Sequence, residues 1–414
     1  MRRASGIVAG AAAALQHYPA KQPLRMEEPQ PVICIVGAGL TGSLTAAFLR
    51  RELQGRPARI VVCERASYPA GRFGAGRRLP SNSVTCTDSL WADLGAQVLS
   101  VVDADSSHPN AAADGHNIRA IDTIAAWEDV KGLEAAGILK CADYDRLGDT
   151  EERMKYEGLW RHFWAPDGLS SLLSHYLQRA SPVELRTNAR VESLQYSLGS
   201  NSKAFVIGRD FRIQADAVVL AVPAAEALQL AGDGGLLTED AAYVLKNVEY
   251  DSRVSIAFAF DGVLNSAALR YFGTENEKTL DYLFDPTAAQ GPLHMLCWQN
   301  GKRDLAANPV VITVHSTCGA TVEETEEAAL EALAEALEVS PPVLSTLLQE
   351  KKIVDWKTCQ VVKPLEGLPR SVALDTCIEL GPVFIAGDFL TQASFLGCYC
   401  SASAAARAAV QAIV

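Results

Sequence analysis

The residues whose spacing first suggests chemistry are the glycines of Gly37-Ala38-Gly39-Leu40-Thr41-Gly42. Such spacing lets a chain turn tightly at Gly37, bring backbone close to a pyrophosphate at Gly39, and pack a helix closely at Gly42. The helix that starts there offers unpaired N–H groups and the positive end of its dipole to phosphate oxygens. Glu64 stands 22 residues beyond Gly42, where an acid accepts hydrogen bonds from an adenosine ribose. Far along the chain, Gly387-Asp388 closes an apolar run and precedes an Ala-rich helix. The first fingerprint leaves NAD and FAD open. An Asp facing a helix N-terminus after a returning strand suits the pyrophosphate and ribityl chain of a flavin, which favours FAD.

Strands and helices must position these residues. Val32 to Val36 is apolar and rich in β-branched types, the pattern of a strand buried on both faces, and Ile60 to Cys63 repeats it. Ser43 to Leu53 is helical in composition, so the glycines lie where strand becomes helix. Ala217 to Val222 and Pro382 to Ile385 read as further buried strands. Val183 to Arg186, Arg190 to Leu194 and Phe211 to Ile213 read as shorter ones. Helices are expected over Ala125–Leu139, Leu169–Ala180 and Thr321–Glu338, and residues 103–117 read as a loop. Strands near 205, 255–260, 294–298 and 310–315 point to an antiparallel sheet in the second half. The acids Glu323, Glu324, Glu326, Glu327, Glu331 and Glu335 read as a solvated helix face.

Composition narrows the function classes. The chain has 414 residues and is 49% hydrophobic, enough for two domains of ordinary size. A net charge of −12 argues against a nucleic-acid partner, which needs a basic face. Ten cysteines show no CxxC and no regular spacing, so neither a metal site nor a disulfide framework is signalled. No apolar run reaches the roughly 20 residues that span a bilayer. Residues 1–26 carry Arg2, Arg3, Lys21 and Arg25 and no acid. A cleaved organelle-targeting peptide and a disordered extension both fit residues 1–30. The expected location is intracellular, organellar under the first reading and cytoplasmic under the second.

The motifs taken together resemble the flavin amine-oxidase superfamily, and within it the renalase family. They are Gly37 to Ser43, Ala70-Gly71-Arg72, Asp93-Leu94-Gly95-Ala96-Gln97, and Ala165 to Ser171 before His175-Tyr176-Leu177. Trp356 with Gln360 follows, then Gly387-Asp388, Thr391-Gln392 and Phe395 to Cys398. Two positions depart from the pattern: Ala70 replaces a glycine, and Val98 stands where the family usually has tyrosine.

The resemblance implies an α/β fold like that of p-hydroxybenzoate hydroxylase, a Rossmann-type FAD-binding domain with an inserted α+β substrate domain. The FAD-binding domain is expected in 31–105, 160–235 and 378–414, and the substrate domain in 106–159 and 236–377. FAD would be bound non-covalently, with Thr41, Gly71, Arg72, Gln97, Val98 and Val191 added to Gly37, Gly39, Gly42, Glu64, Gly387 and Asp388. The implied activity is oxidation of a dinucleotide, the 2- and 6-dihydro isomers of NAD(P)H, to NAD(P)⁺, with O₂ reduced to H₂O₂. Hydride loss from a dihydropyridine needs no general base, and the sequence shows no Ser/His/Asp arrangement. His315, on the apolar strand of Val310 to Val314, matches a family position near the substrate, and a structural histidine fits it too. Trp298 and Gln392 are further pocket candidates. Two alternatives stay open: a true amine oxidase, and a flavoprotein kept mainly for binding or signalling, which the Ala70 and Val98 departures favour. Amine oxidases often place a lysine near the flavin, and Lys302 has no clear place in that pattern.

Overall fold

The computed structural model describes residues 30–69, 71–72, 76–78, 91–105, 120–142, 160–196, 203–232, 237, 239–272, 280–282, 291–303, 308–362, 372–373 and 383–413. The expected extension at 1–30, all but its last residue, Ala70 and the 106–117 part of the expected loop lie outside them. The chain starts with β1 (Val32–Val36), α1 (Leu40–Leu53), β2 (Arg59–Cys63), β3 (Gly76–Arg78), β4 (Trp91–Asp93) and β5 (Leu99–Val102). It continues through α2 (Ala120–Ala135), β6 (Lys140–Ala142), β7 (Trp160–Trp164), α3 (Ser170–Arg179) and β8 (Val183–Arg186). Next come β9 (Val191–Tyr196), β10 (Ala204–Gly208), β11 (Phe211–Ala215), β12 (Ala217–Leu220), α4 (Ala224–Gly232) and α5 (Glu239–Lys246). The second half holds β13 (Arg253–Phe260), α6 (Asn265–Phe272), β14 (Leu280–Tyr282), β15 (Leu293–Trp298), α7 (Gln299–Arg303) and β16 (Val310–Ser316). Last are α8 (Val322–Ala336), α9 (Pro341–Leu347), β17 (Leu348–Trp356), β18 (Val372–Ala373), β19 (Val383–Ile385) and α10 (Phe395–Ile413).

Among the described residues the main sheet runs β18-β19-β12-β1-β2-β8, parallel except for the β18 edge. Its centre explains the uninterrupted apolar run of β1. Ile33 and Ile35 enter a core with α1, α3 and α10, while Cys34 and Val36 enter another with β9, β10 and α4. Each buried isoleucine or valine contributes about 1.5–3 kcal/mol, which fixes the strand that carries the glycine loop. The chain thus has the Rossmann-like α/β core that the sequence implies.

The antiparallel sheet runs β14-β15-β16-β13-β17. It includes β17, which has no clear sequence signal because its residues alternate between half-buried and exposed. The strand near 205 does not join this sheet. It is β10, hairpinned between β9 and β11 in a separate sheet. Ala126, Trp127, Val130 and Leu133 of α2, expected with the substrate half, pack among α1, α3 and α10 instead. Tyr176 reinforces that packing by donating from its hydroxyl to Asp129 Oδ2 at 2.7 Å. Conversely, Ala92 and Leu94 pack on Ala257, Ala259 and Val311 of the antiparallel sheet. No helix among the described residues is long and apolar enough to cross a membrane.

Candidate active site

The glycine loop is held by geometry that other residues could not supply. Gly37 sits at φ +99°, and its N–H donates to Cys63 O at 2.8 Å, pinning the turn to the end of β2. A Cβ on Gly42 would fall 1.9 Å from Gly37 O, so the first turn of α1 rests directly on the loop. Gly39 is different: among the described residues a Cβ there would meet only Gly71 Cα, at 3.8 Å. Helix α1 begins at Gly39 with no side-chain cap and no acid in its first turn. Its first N–H groups and the dipole are therefore left for an anion.

Glu64 ends β2 buried, and each of its carboxylate oxygens accepts a backbone N–H, from Ala38 at 2.9 Å and from Ala66 at 2.8 Å. The acid thus shapes the loop itself as well as lining the cavity beside it. Arg72 and Asp388 are joined to each other, Nη2 to Oδ1 at 2.8 Å. Arg72 Nη1 also donates to Cys359 O at 2.9 Å, and the guanidinium lies over the Tyr250 ring. Gly387 N–H donates to Ser401 Oγ at 2.9 Å, fastening the closing strand to α10. Burial and the nearby Asp388 push the Cys398 thiol up to about 12, so this cavity-lining cysteine stays protonated.

A single cavity of about 1410 Å³ connects these parts. Gly37, Gly39, Thr41, Glu64, Gly71, Arg72, Val191, Gly387 and Asp388 line it, as do Gln97, Val98 and His315. Gly42 does not line it, in keeping with its packing role. Trp298 does not line it either: its ring stacks on Phe272, with centroids 6.1 Å apart, in the core of the antiparallel sheet. Gln392 is likewise absent from the lining, and its Oε1 is buried without a hydrogen-bond partner among the described residues.

Behind the wall near Val98 lies a polar network. Gln97 Oε1 accepts from Gln299 Nε2 at 2.9 Å and from Lys302 Nζ at 3.3 Å. Lys302 is fully buried and pairs with Asp93 Oδ2 at 2.8 Å. Gln97 Nε2 faces Asp93 O, Gly95 O and, at 3.1 Å, His315 Nε2. Burial, aided by His294, Lys302 and Arg253 and opposed by Asp93, holds the His315 imidazole down at about 3. It is therefore neutral at ordinary pH.

Sequence reasoning missed His294 and the place of Lys302. Leu293 pairs with Ser316 and Met295 with His315, so His294 is the extra residue of a bulge in β15. The bulge turns both His294 and Met295 to the cavity, which strict alternation forbids. Nothing in the local sequence marks it.

Residues 115–410 match the profile of the flavin containing amine oxidoreductases. The chain belongs to this family. Residues 35–111 also match an NAD(P)-binding Rossmann-like domain, the segment that holds the glycine loop. The chain is similar to renalase of Mus musculus, 27% identical over 381 residues, covering 89% of this chain and 96% of that one. Its fold is like that of cyclohexylamine oxidase from Brevibacterium oxydans IH-35A, with a TM-score of 0.50, 14% identity and coverage of 93% and 100%. A protein of Exiguobacterium sp. 255-15, provisionally named a protoporphyrinogen oxidase, gives a TM-score of 0.54 at 14% identity, covering 92% and 98%.

As a flavin amine oxidoreductase, the protein is an FAD-dependent oxidoreductase. The residues fit that cofactor: an uncapped helix start, open space at Gly39 and a buried acid at the end of β2 provide for a dinucleotide. The cavity then continues to Gln97 and His315, beyond the phosphate loop.

Proposed function

We propose that this FAD-dependent oxidoreductase oxidises the 2- and 6-dihydro isomers of NAD(P)H to NAD(P)⁺ and passes the electrons to O₂, forming H₂O₂. The observation that carries the reading is the neutral Gln97–His315 pair on the cavity wall. A group held near 3 is a weak base, and oxidation of a dihydropyridine does not need a strong one. The ring gives up a hydride and becomes aromatic, and no proton leaves with it. An alkylamine, in contrast, must be deprotonated at nitrogen before it gives up a hydride. Bound FAD supplies the two-electron acceptor and returns both electrons, with two protons, to O₂.

The chain's own residues bind and orient. The α1 N-terminus receives pyrophosphate, the Arg72–Asp388 pair closes the cavity beside it, and Gln97 and His315 offer neutral hydrogen-bonding groups to the substrate ring. The similarity to a mouse renalase supports the same reading. The family description favours amines as a second reading. Lys302 counts against it, since it is sealed behind Gln97 and does not line the cavity.

Anaerobic mixing of the FAD-loaded protein with isomeric dihydro-NAD should bleach the flavin absorption rapidly, and primary amines should leave it unchanged. Bleaching by amines alone would overturn the proposal.

A further inference from the structure

We propose that Arg253 recognises a phosphate of the substrate: held by Asp251 through Nε, it presents its two terminal nitrogens to the cavity as a fork for two phosphate oxygens. That the anion is a phosphate rests on the dinucleotide reading above. The fork itself does not.

The antiparallel sheet places Arg253 beside the substrate end of the cavity. Arg253 and Ser255 stand two positions apart on β13, so their side chains share one face of the sheet. Ser255 is paired in register with His315 of β16, and Arg253 with Trp356 of β17. All four residues line the cavity. Arg253 therefore lies one row along the strand from His315, and its charge is near enough to help keep that imidazole neutral.

The guanidinium is held without being used up. Asp251 is buried, and its Oδ1 accepts from the Gln360 N–H at 2.7 Å while its Oδ2 accepts from Arg253 Nε at 2.8 Å. An arginine fixed through Nε keeps its direction and still has two Nη groups to donate. Among the described residues neither Nη has a hydrogen-bond partner, and the half-buried side chain opens onto the cavity. The other arginines of the lining differ. Arg72 spends its fork on Asp388 and Cys359 O, Arg65 pairs with Glu226 at the surface, and Arg190 is exposed. The pyrophosphate of FAD is provided for at the α1 N-terminus, on the main sheet, so Arg253 on the antiparallel sheet is left for a second anion. Two parallel N–H groups match two phosphate oxygens, whereas a carbonyl offers one. Asp251 balances the charge, so selection comes from directed donors, and an alkylammonium gains nothing from them.

The test is equilibrium binding of nicotinamide mononucleotide and nicotinamide riboside, which differ by the phosphate alone, to the FAD-loaded protein, followed by the shift of the flavin absorption bands. The wild type should bind the mononucleotide about ten- to a hundredfold more tightly, the scale of charge-assisted hydrogen bonds. Arg253→Gln should abolish that preference, leave riboside affinity within about twofold of wild type and leave FAD affinity unchanged. Arg253→Lys should recover little of it, because a single ammonium cannot hold Asp251 and grip two phosphate oxygens as the fork does. Should Arg253→Gln fail to fold, Arg253→Gln with Asp251→Asn removes both charges and is read the same way. A wild type that binds both compounds equally, or neither, overturns the proposal. So does an Arg253→Gln protein that keeps the preference, that loses both compounds alike, or that loses FAD instead. An Arg253→Lys protein equal to wild type overturns the fork. Flavin reduction by amines alone would sink the proposed function and leave the mononucleotide preference as it is, so the two failures are distinguishable.

Discussion

Glu64 is the residue at which the fingerprint and the structure say different things about one carboxylate. The spacing assigns it to a ribose, and the structure also gives it the Ala38 and Ala66 amides. Glu64→Ala should therefore weaken FAD binding and also lower the stability of the FAD-free protein, each by roughly 1–3 kcal/mol, because two amides lose their acceptor. Urea unfolding of the apoprotein beside an FAD titration checks both, and an unaltered apoprotein would count against the loop-shaping role. His315 makes a second residue-level prediction. Unfolded, it takes its proton near 6.5; folded, only at about 3. Between those values the unfolded chain binds more protons, so stability rises with pH through the window and is lost as pH falls through it. The slope is at most about 1.4 kcal/mol per pH unit. Compared by urea unfolding in that window, His315→Gln should lose stability less steeply than wild type on acidification, and equal slopes would refute the assignment.

At the scale of elements, the strand–loop–helix of β1 and α1 separates two roles that one motif conceals. Gly39→Val adds atoms into open space, so the protein should fold and purify without flavin. Gly42→Val drives a side chain into Gly37 O, so it should fail to fold at all. Soluble yield and flavin content, measured for both, distinguish them, and two variants of equal behaviour would mean that the motif acts as one piece. This element was legible because every position in β1 is decided by burial on two faces, so Val32 to Val36 could be read from composition alone. The same holds for β2, whereas α3 and α8 were legible from apolar residues recurring at helical spacing on one face. β17 was not legible, since its half-exposed alternation carries charged residues that composition assigns to loops. Nor was the β15 bulge, because one unpaired residue depends on the partner strand's register, not on its own side chain. The site followed that division. Gly37, Glu64 and Asp388 could be found from local pattern and Arg72 from the family resemblance, while the Lys302–Gln97–His315 line joins α7, the segment after β4, and β16, and no local pattern relates them.

For the whole molecule, the ion pair of Arg72 with Asp388 is the tie that brings distant stretches of chain to one cavity wall. Arg72→Met would leave a buried carboxylate without its cation and Cys359 O without a donor, lowering stability by roughly 1.5–3 kcal/mol. Arg72→Lys should rescue little, because a single ammonium cannot span both acceptors as the guanidinium fork does. Thermal unfolding and FAD affinity of the two variants test this, and an Arg72→Lys protein equal to wild type would remove the clamp. The main sheet carries a related consequence for synthesis. β1 neighbours β12, and β12 neighbours β19, so the phosphate loop and its closing Asp388 are made at widely separated times. About 350 residues lie between them, which at roughly 5–20 residues per second is about 20–70 seconds of translation. Until β12, β19 and α10 have been made, the glycine loop lacks both the strand beside it and its far wall, so cofactor capture waits on their arrival.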